Sequence, residues 1–168
     1  VQTCALPIWF VTPRGEFYCP PEVHRNIRVL SGKPKIRIEL DPKPNYALGK
    51  ADYFIKNNYI KICSTKGDYN SYYFYSNLDL KKIIDGKEIE LERYSFFILS
   101  YHEKLEEIDN DKIYLEFEKT KVYWLDWVQR TAHPERFKEQ VRRSAITLKL
   151  LMFQRSGAVV AAITTSLQ

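Results

Sequence analysis

Apolar and polar residues alternate with a period of two over much of residues 22–101, a pattern typical of half-buried strands. Within residues 22–30, one face carries Val23, Arg25, Ile27 and Val29, and the other carries Glu22, His24, Asn26 and Arg28. Residues 35–40 alternate again after the turn-forming residues 31–34. We predict that these two segments form an antiparallel pair with one buried face and one charged face.

The rest of this block predicts further strands and turns. Residues 41–46 contain two prolines and predict an extended loop, because proline lacks an N–H group and restricts its neighbours. Strands are predicted at residues 53–65, with a left-handed hairpin turn at Asn57 and Asn58, and at residues 69–76, 80–84, 88–92 and 94–101, with a turn at Asp85 and Gly86. The segment 94–101 is apolar enough to lie in the centre of a sheet.

The period changes to a helical one after residue 109. Residues 109–133 predict a helix capped by Asn110 or Asp111, whose apolar positions are Ile113, Phe117, Trp124 and Val128. A second helix is predicted from Pro134, with a glycine stop at Gly157. Its apolar stripe consists of Phe137, Val141, Ala145, Leu148 and Met152. The fold class is therefore mainly β with C-terminal helices.

Composition and charge narrow the range of partners. The formal net charge is +5, but 26 basic residues are mixed with 21 acidic ones, which indicates a solvated surface and disfavours a nucleic-acid-binding role. No apolar run reaches the length of about 18 residues that crosses a bilayer. The sequence therefore predicts neither a nucleic-acid partner nor a membrane span, and it leaves the oligomeric state open.

The three cysteines have no metal-ligand spacing and no even-numbered framework. We expect reduced thiols at Cys4, Cys19 and Cys63 and a cytoplasmic location, although two of the three could pair in an oxidising compartment. Residues 1–8 resemble the conceptual translation of a common sequencing adapter. We therefore expect them to be an artefact and no credible first strand, so Cys4 has no biological role.

Candidate chemistry in the sequence is sparse. Surface roles are favoured for Glu16, Glu103, Glu106 and Glu107, and structural or surface roles for His24, His102 and His133. Ser166 lacks the glycines of a nucleophile elbow. No phosphate-binding glycine loop is present. No catalytic, cofactor-binding or metal-binding residue is assigned, and no cofactor is expected.

Aromatic residues offer one binding hypothesis. Tyr69, Tyr72, Tyr73, Phe74 and Tyr75 could stack on the C–H faces of sugars, but alternation divides them between two faces of a strand, so one set is expected in the core. Trp124 and Trp127 lie at helical spacing and are interpreted as packing residues.

Several segments resemble glycoside hydrolase family 15, nearest to its bacterial and archaeal glucoamylase-like or trehalase-like proteins. Residues 142–151 (RRSAITLKLL) and 157–167 (GAVVAAITTSL) resemble an RRSALTLKLL helix followed by a GAIVAA-x-TTSLPE segment. Residues 25–32 and 41–46 (DPKPNY) resemble an RxxR…LxG…DPRPDY stretch, and residues 123–127 (YWLDW) a YWxxW linker helix. The resemblance extends from about Thr12 to Gln168.

This resemblance implies an N-terminal β-sandwich, a helical linker and an (α/α)6 barrel with the active site. It places a partial sandwich at residues 9–108, the linker helix at 109–133 and the truncated start of the barrel at 134–168. The implied activity of the whole protein is inverting hydrolysis of an α-glucosidic bond in an α-glucan, an oligosaccharide or trehalose.

The chain departs from the family pattern at its end. Gln168 replaces a proline, and neither the Asn-Trp-Asp-Tyr-Arg segment nor the two later catalytic glutamates occur in the sequence. We expect this portion of the protein to be inactive alone. The alternative is a non-catalytic β-sandwich that binds carbohydrate through its tyrosine strand, which predicts weaker sugar binding after Tyr72→Ala or Tyr73→Ala.

Overall fold

A computed structural model describes residues 2–7, 10–11, 17–18, 20–92, 94–106, 108–131, 134–152 and 156–160; up to residue 19 it describes the backbone only. The strands are β1 (Gln2–Pro7), β2 (Phe10–Val11), β3 (Phe17–Tyr18), β4 (Glu22–Arg28), β5 (Lys35–Ile36), β6 (Ala51–Ile55), β7 (Ile60–Ser64), β8 (Ser71–Ser76), β9 (Ile89–Glu90) and β10 (Tyr94–Tyr101). The helices are α1 (Pro44–Ala47), α2 (Leu80–Ile84), α3 (Asn110–Arg130) and α4 (Lys138–Leu150).

A six-stranded antiparallel sheet in the order β1-β4-β10-β8-β7-β6 organises the first compact unit, Val1–Thr120. Two further pairs, β2-β3 and β5-β9, each form a two-stranded sheet. The mainly β fold with C-terminal helices is confirmed. The second compact unit, Lys121–Gln168, contains the end of α3 and all of α4.

Both faces of the main sheet bury apolar side chains. On the first face, Ile60, Ile62 and Phe74 of the sheet pack with Leu80 and Ile83 of α2 and with Ile89 of β9. On the second face the cluster consists of Tyr75, Phe96, Ile98 and Ile113, the last from the first half of α3. The sheet is therefore a central layer with partners on both sides.

The predicted pairing of residues 22–30 with residues 35–40 is wrong. β4 lies between β1 and β10, whereas Lys35 and Ile36 pair with Glu90 and Ile89 of β9. Alternation specifies which face of a strand is apolar but not which strand lies beside it, since distant strands offer the same backbone groups. Ile38 and Leu40 do pack against the first cluster, so the predicted apolar face of residues 35–40 is confirmed.

The predicted division of β4 into an apolar and a charged face holds only at the end of the strand, where Ile27 is buried and Arg28 is exposed. The side chains of Glu22 and His24 are only 11% exposed, whereas Val23 on the opposite face is 50% exposed. The second face of the sheet is covered around Ile98, the residue of β10 that pairs with His24. The polar residues Glu22 and His24 therefore lie on a covered face of the sheet and not on a solvated one.

Residues 80–84 form helix α2 and not a strand. Asp79 caps this helix, because its Oδ1 accepts from the backbone N–H groups of Lys81 and Lys82 at 2.9 and 3.1 Å. Leu80 and Ile83 are spaced by three residues and share the buried side of the helix. Gly86 follows with a φ of 63°, so residues 85–86 end a helix and do not form a hairpin turn.

The hairpin predicted within residues 53–65 is confirmed as β6 and β7. The backbone N–H of Lys56 donates to the carbonyl of Tyr59 at 2.9 Å and closes the turn. Neither Asn57 nor Asn58 has a positive φ, so the left-handed geometry predicted there is wrong. Left-handed residues occur instead at α1 in the predicted extended loop, where Asn45, Tyr46 and Ala47 have φ values of 50°, 55° and 64°.

The long helix predicted over residues 109–133 is confirmed as α3. Its cap is Asp109, whose Oδ1 accepts from the backbone N–H of Lys112 at 2.6 Å, and not the predicted Asn110 or Asp111. Ile113 is buried, and Phe117, Trp124 and Val128 are half-buried, as the helical spacing predicts.

Helix α4 begins later than predicted, at Lys138, after the left-handed residue Phe137. Its predicted apolar stripe is largely exposed: Phe137 by 72%, Leu148 by 57% and Met152 by 37%. Gly157 has the expected positive φ of 72°, but the helix ends at Leu150, and Gly157 lies between Met152 and Val159, which form an isolated β-bridge.

Residues 2–7 form strand β1, against the prediction that the first eight residues include no credible strand. Edge pairing uses backbone N–H and C=O groups, which every residue except proline supplies in full, so an open edge accepts many sequences. The origin of this segment stays a prediction.

Candidate functional site

The aromatic strand β8 is divided between the two cores. Phe74 is 4% exposed in the first cluster and Tyr75 is 2% exposed in the second. Tyr72 and Tyr73 are half-buried against these same clusters. Burial raises the pKa of the Tyr72 and Tyr75 hydroxyl groups. Of the five aromatics proposed for sugar stacking, Tyr69 is the most exposed, at 60%.

Polar groups surround the exposed ring of Tyr69. The Nζ atom of Lys61 lies 5.8 Å from the ring centroid, and the Sγ atom of Cys63 lies 3.6 Å from the hydroxyl oxygen. The hydrogen bond to the Tyr69 hydroxyl raises the pKa of Lys61. The ring of His102 has its centroid 6.4 Å away. This arrangement presents one aromatic face and several hydrogen-bonding groups to solvent.

His102 itself has a structural setting. Its φ is 61°, its backbone N–H donates to the carbonyl of Ser71 at 2.8 Å, and its ring packs edge-on against Tyr101 at 4.0 Å. The predicted structural role of His102 agrees with these contacts.

A second site lies between strands β4 and β10 and the first half of α3. It is a cavity of about 310 Å³. Its lining is both polar and apolar and consists of Pro20, Glu22, His24, Ile98, Glu103, Leu105, Ile108, Lys112, Ile113 and Glu116. The mixture of carboxylates, a histidine, a lysine and aliphatic side chains is typical of a small-molecule pocket. We call it the Glu22–His24 pocket.

Two carboxylates of the pocket wall, Glu22 and Glu116, each bind one polar partner. The Nε2 atom of His24 lies 2.8 Å from Oε2 of Glu22, and Oε1 of Glu116 accepts from Nζ of Lys119 at 2.8 Å. The remaining atoms, Nδ1 of His24 and Oε2 of Glu116, are buried, and neither has a hydrogen-bond partner within the described part of the chain. Buried polar atoms are satisfied in the great majority of proteins, so both atoms call for a partner.

A wider cleft of about 670 Å³ runs past the β6–β7 turn and the start of α2. Its two carboxylates, Asp79 and Asp109, are already engaged as helix caps. The Glu22–His24 pocket is therefore the better candidate for binding chemistry.

The other predicted residues are spread widely. Glu103 and Glu106 are exposed, as predicted, although Glu103 also borders the pocket. Cys63 is a free thiol. Trp124 and Trp127 are half-buried and pack edge-on at 6.1 Å. Glu16, Cys19, Glu107, His133 and Ser166 lie outside the described residues, and the side chain of Cys4 is not described.

Within the described residues, no three His, Cys, Asp or Glu side chains converge in a way that could hold a metal ion. None of the helices, over the same residues, is both long and apolar enough to cross a membrane.

Sequence reasoning did not identify Glu22, His24, Lys112 and Glu116 as a group. The signals were present separately, because Glu22 and His24 share one face of a strand and Ile113 and Glu116 share one face of a helix. Only the packing of α3 on the sheet brings the two pairs together.

Two trehalases are similar to this chain. The trehalase of Thermoplasma volcanium is 31% identical over 153 residues, and that of Thermoplasma acidophilum is 28% identical over 150 residues. Each match covers 88% of this chain but only 24% and 26% of the respective relative, so the chain spans about a quarter of the length of the curated relatives it matches. No family model matches the chain, and no solved structure matches it. The chain is thus trehalase-like over most of its length.

Proposed function

We propose that this chain is the N-terminal portion of a glycoside hydrolase of family 15 that cleaves α-glucosidic bonds, with trehalose as its foremost substrate. The observation that supports this proposal is the similarity to two trehalases over 88% of the chain. The motifs at residues 41–46, 123–127 and 142–151 support the same family.

The proposed organisation follows the family architecture. Residues 9–108 are part of the N-terminal β-sandwich, residues 109–133 are the linker helix, and residues 134–168 begin the (α/α)6 barrel. The exposed side chains of Phe137, Leu148 and Met152 support the last assignment, because a barrel helix buries such a stripe against neighbouring helices. Residues 1–8 are proposed to be an adapter-derived segment, although residues 2–7 pair with β4 as strand β1.

The proposed reaction proceeds with inversion. One protonated carboxyl group assists departure of the glycosidic oxygen, while a second carboxylate activates water on the opposite face of the sugar. We assign both groups to later helices of the barrel and none to this chain. The chain by itself is expected to be inactive.

An activity assay tests this proposal. The uninterrupted gene would be expressed beside the 168-residue chain, and glucose release from trehalose, maltose and starch would be measured for both. We expect turnover of at least one α-glucoside by the longer protein and none by the chain. Failure of the longer protein on all three substrates would contradict the proposal, as would true turnover by the chain.

A second candidate is a non-catalytic carbohydrate-binding module, which the exposed ring of Tyr69 beside Lys61 favours. Tyr72→Ala and Tyr73→Ala would test it poorly, since both side chains support the cores. Tyr69→Ala is the sharper variant. Under this alternative the chain binds maltooligosaccharides and loses that binding with the Tyr69 ring, while Tyr114→Ala, an exposed control, has no effect.

A further inference from the structure

We infer that the Glu22–His24 pocket binds one small neutral polyol, of the size of a single hexose. The pocket is lined entirely by residues of the β-rich unit, whereas the proposed catalysis is assigned to the barrel. The atoms of the pocket favour a polyol, and only the choice of a hexose among polyols rests on the proposed function.

With a neutral His24 ring, the two atoms that lack partners among the described residues are both acceptors. A carboxylate can only accept hydrogen bonds, so the contact between His24 and Glu22 requires Nε2 of the histidine to donate. In the neutral ring, Nδ1 of His24 is then an acceptor. Oε2 of Glu116 is an acceptor as well, because Lys119 holds the other oxygen of that carboxylate. A ligand that fills these positions must bring at least two donors.

Hydroxyl groups of a ligand supply the required donors better than the alternatives do. A simple carboxylate has no donors for Nδ1 and Oε2, and any anion would face three carboxylates. A metal ion would need converging ligands, which the described residues do not provide. An organic cation would meet Lys112 on the same wall. A neutral polyol can donate to both His24 and Glu116.

The apolar part of the wall completes the match. Ile98, Leu105 and Ile113 also line the pocket, and the C–H groups of a sugar ring can pack on such side chains. The volume of about 310 Å³ is at the lower end of the range of about 300 to 1,000 Å³ for ligand pockets. The pocket therefore suits one ring better than two.

Titration of the 168-residue chain tests this inference by NMR. D-glucose is the probe, and trehalose, calcium chloride and putrescine are the comparison ligands. We expect saturable shifts of the backbone amide signals of Ile98 and Ile113 with glucose, and weaker or no shifts there with the other three. Trehalase activity of the longer protein is not part of this readout, so the failure of one proposal leaves the other testable.

Variants assign the binding to the pocket. Glu116→Gln turns the acceptor Oε2 into an amide donor and should raise the Kd for glucose by about tenfold or more, since a hydrogen bond to a charged group contributes at least that factor. Glu103→Gln, at the exposed border, should weaken binding less, and Glu103 belongs to neither buried cluster. Glu88→Gln, exposed and outside the pocket lining, is the control and should leave the Kd unchanged.

Three results would overturn the inference. One is the absence of glucose-dependent shifts at the pocket amides. Another is binding that Glu116→Gln leaves intact or that Tyr69→Ala removes. The third is saturation of the pocket signals by calcium or putrescine in place of glucose.

Discussion

The side-chain amide of Asn45 donates to the backbone carbonyl of Asp68 at 2.7 Å, and it also donates to the carbonyl of Lys66 at 2.8 Å. These bonds join the left-handed turn α1 to the loop between β7 and β8. The side chain of Asn70 donates to Oδ1 of Asn45 and accepts from the hydroxyl of Tyr101. The segment 41–46, which supports the family resemblance, therefore has a structural role in the β-rich unit.

Replacing Asn45 should destabilise this unit. Asn45→Ala leaves the carbonyl groups of Lys66 and Asp68 without this donor and places alanine at a positive φ, where asparagine is better tolerated. We expect a loss of roughly 2–4 kcal/mol in the free energy of unfolding. Urea unfolding of the chain measures it. Lys50→Ala, with an exposed side chain nearby, should change stability by less than about 0.5 kcal/mol; equal effects of the two variants would contradict the role of Asn45.

Gly67 offers a related test in the loop that Asn45 holds. Its φ is 74°, and a Cβ atom there would lie 2.9 Å from Nδ2 of Asn45. Gly86 has a φ of 63° but open space around its Cβ position. Gly86→Ala should lower the free energy of unfolding by about 1 kcal/mol through backbone strain alone. Gly67→Ala should lower it further, because the Asn45 side chain must also move.

Thermal and urea unfolding of both glycine variants would measure this difference. A Gly67→Ala variant no less stable than Gly86→Ala would mean that Asn45 does not occupy this position.

Buried tyrosines predict loss of stability at alkaline pH. Burial raises the pKa of Tyr75, although its hydrogen bond with the Leu105 backbone acts in the opposite direction. The unfolded chain then ionises at a lower pH than the folded chain. The resulting stability is complete below the unfolded pKa of about 10 and is lost as the pH rises through the folded value.

Urea unfolding between pH 8 and pH 11 would measure this dependence, with the pH range chosen around the ordinary tyrosine pKa of about 10. Tyr75→Phe should flatten the alkaline fall and also reduce stability at neutral pH, because it removes the hydrogen bond from the Leu105 N–H. Tyr114→Phe, at a residue 64% exposed, should leave the curve unchanged. A fall of equal slope in all three proteins would exclude Tyr75 as its source.

The sequence predicted the elements whose contacts are local in the chain. It missed the pairing of strands that are distant in the chain. The β6–β7 hairpin, β8, β10 and α3 follow from local periodicity, and all were found. The partner of β4 was wrong because any strand can offer the same backbone groups. Residues 80–84 were ambiguous, since Leu80, Ile83 and Ile84 fit a short strand or one helical turn, and the Asp79 cap favours the helix.

The candidate site was harder to predict than the fold. Glu22 and His24 belong to a strand and Glu116 to a helix far along the chain, and no motif links them. Their shared burial depends on α3 covering the second face of the sheet. The sequence supplied the family resemblance, whereas the pocket required tertiary structure.

The exposed stripe of α4 predicts an asymmetry between the chain and the longer protein. Leu148 is 57% exposed, so Leu148→Ala should change the stability of the 168-residue chain by less than about 0.5 kcal/mol. In the protein made from the uninterrupted gene, the same change should cost about 2–5 kcal/mol, as for a buried leucine. Thr147→Ala, also exposed on α4, should be mild in both.

Amide hydrogen exchange of α4 tests the central claim most directly, namely that this helix packs against later parts of a trehalase-like hydrolase. We predict rapid exchange for the amides of residues 141–150 in the 168-residue chain and protection at least about a hundredfold greater in the longer protein, since packed helices open only with larger free energies. Equal protection of these amides in both proteins would contradict the account.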